Sequence, residues 1–266
     1  MSNQPALTGP QTFNRAERLA RAEEITRRVR EHLGDQARAA AWYGSLARGA
    51  DGPYSDVEMF FIVSGEGIDH SLEWSTGPWK AEVNLQSEDM LLEEAREFDD
   101  MWPVMHGKSV HNIAIFDPEG LLPLARQAVY DHADEAFEEL LKEIIIGDLY
   151  EVVGKVRNGL VQSTPELILP YAFKAAHYGA SLAGIANRRI YNSGSTVLSE
   201  SLSLPNLPNG YTGLVELLLS GALNNLTTVG AAVNRMWEGV ESWANQRGIV
   251  LYDELDDLLA SEEEQE

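Results

Sequence analysis

Apolar residues at Ala16, Leu19, Ala20, Ile25, Val29 and Leu33 recur at helical spacing. Asn14-x-x-Glu17 ahead of them has the form of a capping box, in which the Asn14 side chain accepts from a first-turn N–H and Glu17 returns the bond. Gly34 supplies a C-terminal stop. The pattern predicts an opening helix that ends there. Strand character follows. Ala39–Tyr43 reads as a short buried strand broken by Gly44-Ser45. Asp51-Gly-Pro-Tyr-Ser is a dense turn signal, and Asp56–Val63, D-V-E-M-F-F-I-V, reads as a strand ended by Ser64-Gly65. Trp79–Leu85 sets Lys80, Glu82 and Asn84 against Ala81, Val83 and Leu85, the alternation of a half-buried strand. Ser87–Phe98 returns to helical character with Ser87 as N-cap. Val110–Phe116 predicts another strand before Asp117-Pro118.

From about Glu119 the pattern is helical throughout: Leu121–Ala133, Asp134–Val161, Pro165–Asn187, Tyr211–Leu219 and Asn225–Gln246, with Ser203–Asn209 the clearest loop. Trp237 and Trp243 read as core residues of the last helix. The predicted fold class is α+β. A mixed-sheet domain over residues 1–125 precedes an all-helical bundle over 126–266. Ser261–Glu266 reads as a disordered acidic tail.

Composition narrows the function. The 266 residues include no cysteine, which excludes a disulfide framework and any thiol-based metal or redox site. Met1–Asn14 lacks the apolar core of a signal peptide, and runs such as Ile144–Ile146 and Leu217–Leu219 are far short of a membrane span. A cytoplasmic protein is expected. With 42 acidic and 20 basic side chains, the net charge of −22 disfavours a nucleic-acid partner and favours a polycation. There is no H-E-x-x-H for zinc hydrolysis, no G-x-S-x-G and no Walker-type G-x-x-x-x-G-K-[ST].

The remaining chemistry concentrates around two elements. Asp56 and Glu58 are two apart in an apolar strand, so both carboxylates share one face while Val57, Met59 and Phe61 fill the other. A divalent cation relieves their repulsion, and Mg²⁺ characteristically uses one or two carboxylates plus substrate phosphates. Glu82 on the neighbouring strand adds a third acid. An isolated D-x-E equally fits an exposed strand edge. Upstream, Gly44-Ser45 ends a strand, and ten residues separate Ser45 from Asp56. Such a turn can aim N–H groups and a hydroxyl at phosphates, and Arg48 can add a fork of donors; ordinary turn chemistry also accounts for it. Glu151 and Lys155, four apart on a helix, read by spacing as a surface ion pair.

Taken together, strand, Gly-Ser, ten residues and D-x-E resemble the DNA polymerase β-like nucleotidyltransferase superfamily. The chain is more closely similar to the aminoglycoside 4′-nucleotidyltransferase (kanamycin nucleotidyltransferase) family. The similarity rests on Tyr43-Gly-Ser-Leu-Ala-Arg48, Asp51-Gly-Pro-Tyr-Ser-Asp-Val-Glu-Met59, Glu73-Trp-Ser-Thr-Gly77 and Trp79-Lys80-Ala-Glu82-Val-Asn84. Trp102-Pro103, His106-Gly107, Glu151, Gly154-Lys155-Val-Arg157-Asn158 and Leu207-Pro-Asn-Gly-Tyr211 extend it. The order holds from about Asn14 to Val250.

The resemblance implies an antibiotic-resistance enzyme. It would transfer a nucleoside monophosphate from ATP or another NTP to the 4′-hydroxyl of a kanamycin-like aminoglycoside and release pyrophosphate. Asp56 and Glu58 would hold Mg²⁺. Gly44, Ser45, Arg48, Ser55 and Lys155 would hold the triphosphate. Glu151 would be the general base, and Glu73, Glu82, Asp100 and Asp148 would face the antibiotic. Gly147-Asp148 stands where the family carries a pair of glutamates, and Met101 where it carries an acid. The resemblance also implies a homodimer with a shared active site. A related transferase acting on a lincosamide or protein hydroxyl, and a non-catalytic acidic module of the same fold, are the alternatives.

Overall fold

The computed structural model describes residues 9–75, 79–252 and 254–255. The start as far as Thr8, Thr76 and Gly77 of the Glu73–Gly77 motif, and the acidic tail Ser261–Glu266 lie outside them. Helix α1 (Arg15–Leu33) forms where the spacing predicts. Both halves of its capping box are made: the Glu17 N–H donates to Asn14 Oδ1 and the Asn14 N–H to Glu17 Oε2, each at 3.0 Å. Gly34 closes it with φ of 54°.

Strand β1 (Ala37–Trp42) leads into a short helix, α2 (Gly44–Arg48), then β2 (Val57–Val63), β3 (Asp69–Ser75) and β4 (Lys80–Ser87). Helices α3 (Glu88–Arg96), α4 (Trp102–Met105) and α5 (Gly107–Val110) precede β5 (Ile113–Phe116) and α6 (Leu121–Ala128). The five strands form one mixed sheet in the order β3-β4-β2-β1-β5. β2 and β4 run parallel, and the other pairs are antiparallel. One face is sealed by α1: Ala22 and Ile25 share a buried cluster with Val57, Met59, Phe61, Val63, Ala81 and Val83. On the other face, Phe60 and Ile62 are fully buried. There Gln86 bonds Glu94 of α3 at 2.6 Å, and Lys108 of α5 bonds both Glu94 (2.7 Å) and Gln86 (3.0 Å). Glu58 and Glu82 lie on that same face at its other end, near the starts of β2 and β4.

The second half is helical, as the pattern predicts: α7 (Asp134–Glu143), α8 (Tyr150–Gln162), α9 (Leu169–Ala186), α10 (Val197–Ser201), α11 (Tyr211–Ser220) and α12 (Leu226–Gln246). Small residues let α9 pack centrally; Ala172, Ala175, Ala176, Ala180 and Ala183 are buried. A Cβ on Gly179 would come within 2.5 Å of the Tyr211 ring. Trp237 and Trp243 are buried, and Trp243 Nε1 donates to Asn206 O at 2.7 Å. Among the described residues, no helix is long and apolar enough to cross a membrane.

The chain divides into two compact units. The first comprises residues up to Phe98, Val104–Asp131 and Asn192–Gly194; the second comprises Asp99–Pro103, His132–Tyr191 and the chain from Ser195.

Four local expectations change. β3 reads D-H-S-L-E-W-S, too polar to stand out, yet it forms an edge strand where only one neighbour is needed. Only Ile113–Phe116 of the expected Val110–Phe116 strand is extended. The preceding turn stays helical, and the Asn112 side chain donates to Lys108 O (2.9 Å) and Ser109 O (3.0 Å) at its end. Ser87 sits at the start of α3 but makes no capping bond; its hydroxyl accepts from the Ile68 N–H at 3.0 Å. The expected single helix over Asp134–Val161 is interrupted by a π-helical turn, Ile144–Leu149, between α7 and α8. Gly147 and Asp148 both lie in it. Such turns widen the ladder to i→i+5 and cluster at functional sites.

Candidate active site

In the first unit the site begins at the β1–α2 turn. Gly44 adopts φ of +66°, and a Cβ there would lie 1.7 Å from Glu58 Oε2. Glycine therefore serves both a left-handed backbone and the close approach of a carboxylate. The Ser45 N–H donates to that carboxylate, and the Tyr43 N–H donates to Glu58 O at 3.1 Å. Gly49, with φ of 70°, ends α2 just after Arg48.

The acids line up across the sheet. Glu58 stands opposite Glu82 in the β2–β4 ladder, and Glu82 stands opposite Glu73 in the β4–β3 ladder. Asp56 precedes β2 and shares the face by period two. Burial is the largest influence on Glu58 and the charges of Asp56 and Glu82 add to it. Together they push its carboxyl up to about 7 against the opposing Arg48 charge and Ser45 bond. Glu82 is held in place. Tyr43 Oη donates to Glu82 Oε1 at 3.2 Å, and Asn84 Nδ2 donates to both that oxygen (3.0 Å) and the phenol oxygen (2.9 Å). Burial, then the charges of Glu82 and Glu58, keep the Tyr43 phenol protonated far above its ordinary range. Glu73 is exposed and pairs with Lys80, whose ammonium also feels Asp56 and Glu82.

The donor set fits Mg²⁺. Among the described residues no three His, Asp or Glu side chains are gathered as a ready-made metal cage. Mg²⁺ needs no such cage, because it keeps waters and takes substrate phosphates beside one or two carboxylates. Burial first, then the charges of Asp56 and Glu82, disfavour the Glu58 carboxylate, and a cation held by this pair would offset those charges.

In the second unit, Glu151 is the second residue of α8, 70% exposed, with Lys155 Nζ 3.4 Å from its Oε1. Asp148 accepts from Tyr178 Oη of α9 at 3.1 Å. Burial first, then the bond to Asp148 and the charges of Asp148, Asp100 and Glu151, push the Tyr178 phenol up to about 12. Asp100 is likewise raised by burial, then by Asp99, Asp148 and Glu143. The charges of Asp148, Asp100 and Glu151 thus all act on the Tyr178 phenol.

The structure therefore brings Gly44, Ser45, Arg48, Asp56, Glu58, Glu82 and Glu73 together in the first unit, with Ser55 one residue before Asp56. It gathers Asp100, Asp148, Glu151 and Lys155 in the second. Sequence reasoning passed over Tyr43 as a side chain, and over Asn84, Tyr178 and Arg18. Arg18 had a readable signal: it shares the buried face of α1 with Ala22 and Ile25 at i+4 and i+7.

Known proteins match the chain along its length. Residues 119–250 match the KNTase C-terminal domain family. The chain is 34% identical over 245 residues to an aminoglycoside nucleotidyltransferase (4′) of Staphylococcus aureus, covering 92% of this chain and 97% of the relative. A Bacillus sp. protein of the same name matches with the same identity and coverage. In fold, it resembles the crystal structure of a nucleotidyltransferase-like protein from Exiguobacterium sibiricum, with a TM-score of 0.50 and 12% identity over 85% of this chain and 75% of that one.

Proposed function

Because this chain belongs to the aminoglycoside 4′-nucleotidyltransferase family, we propose that it modifies aminoglycosides by nucleotidyl transfer and so confers resistance to them. The donor is ATP or another NTP, the acceptor is the 4′-hydroxyl of a kanamycin-like antibiotic, and pyrophosphate leaves. The observation that carries this reading is the meeting of the Gly44-Ser45 turn with Glu58, beside Asp56. It sets the backbone N–H and hydroxyl of Ser45 beside two carboxylates that share one face of the sheet.

Asp56 and Glu58 would hold Mg²⁺, which when bound would supply charge neutralisation for the triphosphate. The Gly44–Ser45 backbone, the hydroxyls of Ser45 and Ser55, and the cations of Arg48 and Lys155 bind and orient the phosphates. Phosphoryl transfer depends mainly on such positioning and electrostatics. Glu151 accepts the proton of the attacking hydroxyl, and its exposed position on α8 leaves its carboxylate within reach of an acceptor sugar. Glu73, Glu82, Asp100 and Asp148 receive antibiotic amines. The enzyme works in the cytoplasm as a homodimer whose active site draws on both protomers. Neither nucleic acid nor membrane is a partner.

Mass spectrometry of kanamycin and its 4′-deoxy analogue after incubation with ATP and Mg²⁺ tests the reading. An adduct on the first alone is expected. Labelling of lincomycin but not kanamycin, or no pyrophosphate release with any acceptor, would sink it.

A further inference from the structure

Arg18 is a cation almost removed from solvent: its side chain is 2% exposed and that of its partner Asp51 is 1% exposed. Its guanidinium is used in three directions. Nη1 donates to Asp51 Oδ2 at 2.6 Å, Nε to Ser55 O at 2.8 Å and Nη2 to Pro53 O at 3.1 Å. Arg15 adds a second cation to Asp51. The turn is also bonded to itself, the Ser55 N–H to Gly52 O at 3.1 Å and the Gly52 N–H to Ser55 Oγ at 3.0 Å.

Burying an ion pair is a poor route to stability, because desolvation offsets the Coulombic gain and an apolar pair of similar volume often does as well. What a planar, multi-donor cation adds is a fixed geometry. These three acceptors of the guanidinium all lie within Asp51–Ser55, and the next residue is Asp56.

We propose that Arg18 is a positioning residue for the Ser55–Asp56 segment: by clamping the Asp51 carboxylate and the Pro53 and Ser55 carbonyls at once, it fixes where Asp56 enters β2 beside Glu58. The inference rests on the reading of Asp56 and Glu58 as cation ligands. It assigns the Arg18–Asp51 pair to metal affinity and turnover, beyond whatever it contributes to stability.

Mn²⁺ serves as the probe, its binding followed by electron paramagnetic resonance of the free ion alongside thermal melts. Arg18→Lys keeps the charge opposite Asp51 but cannot span both carbonyls. Arg18→Met keeps only the volume. Both variants are expected to melt cooperatively, with Mn²⁺ affinity lowered about tenfold, the usual effect of removing a partner that orients a ligand. kcat should fall while KM for the aminoglycoside holds. Wild-type Mn²⁺ affinity in a folded Arg18→Lys or Arg18→Met protein overturns the inference. Loss of the cooperative melt in both also overturns it, since the pair would then serve folding at large. Asp56→Asn separates the two levels. If that variant binds Mn²⁺ like wild type, the cation reading itself fails; if it does not, an unaffected Arg18 variant overturns only the clamp.

Discussion

Glu58 of β2 and Glu82 of β4 stand opposite each other in a parallel ladder, two carboxylates on one face of neighbouring strands. Such a pair is destabilising by itself. The surrounding groups treat the two acids differently: Glu82 is bound by Tyr43 and Asn84, whereas Glu58 receives a backbone N–H and is left with a raised carboxyl.

The raised Glu58 gives a pH signature. Its carboxyl titrates near 7 when folded, above its ordinary value of 4.5. Below about 4.5 both states carry the proton and nothing is lost; between about 4.5 and 7 the unfolded chain releases it first, so stability falls as pH rises. Glu58→Gln removes this penalty. The variant should be more stable than metal-free wild type at pH 8, by on the order of 1–3 kcal/mol, with the gap closing toward pH 4.5. Thermal melts across that range check the sign.

Gly44→Ala places a methyl group against the Glu58 carboxylate in a left-handed conformation. Backbone strain alone costs about 1–3 kcal/mol. The carboxylate must also move, so turnover should fall further than the melting temperature suggests. Steady-state kinetics beside a melt would expose the disproportion.

Glu151→Gln should lower kcat by roughly two to four orders of magnitude, the usual contribution of a general base. Its ion pair with Lys155 is largely exposed and contributes little, so the melting temperature should be unchanged. Normal turnover of the variant would remove Glu151 from the mechanism.

Mixing two inactive proteins tests the shared site. If Asp56 and Glu151 act from different protomers, combining Asp56→Asn with Glu151→Gln regenerates one intact site per heterodimer. Recovery of roughly a quarter of wild-type activity is expected for free subunit exchange in a two-fold dimer. No recovery after exchange, confirmed by native mass spectrometry, would place both residues in one protomer's site.

Tyr178→Phe removes the hydrogen bond to Asp148 and leaves the ring. With Asp148 free to turn, KM for the aminoglycoside should rise several-fold while KM for ATP stays constant. Equal changes in both would separate Tyr178 from acceptor binding.

Much of this was legible in one dimension because the signals are local. The capping box of α1, the β2 alternation and the helical periodicity after Glu119 depend on residues within a turn or a pleat of each other. Period two alone put Asp56 and Glu58 on one face. Family resemblance, also a property of the sequence, supplied Glu151 and Lys155, whose spacing by itself reads as a surface pair. Tertiary structure decided what depends on distant partners. β3 is a strand because β4 offers it an edge, and its register, set by pairing, carries Glu73 into line with Glu82 and Glu58. The π-turn at Ile144–Leu149 is invisible to a periodicity of 3.6, since it shifts the phase within an unbroken apolar pattern. Which carboxylate is raised, which is tied down and which arginine is buried follow from desolvation and from hydrogen bonds between residues tens of positions apart. A sequence names those groups, but only the packed chain sets their distances and their exposure to water.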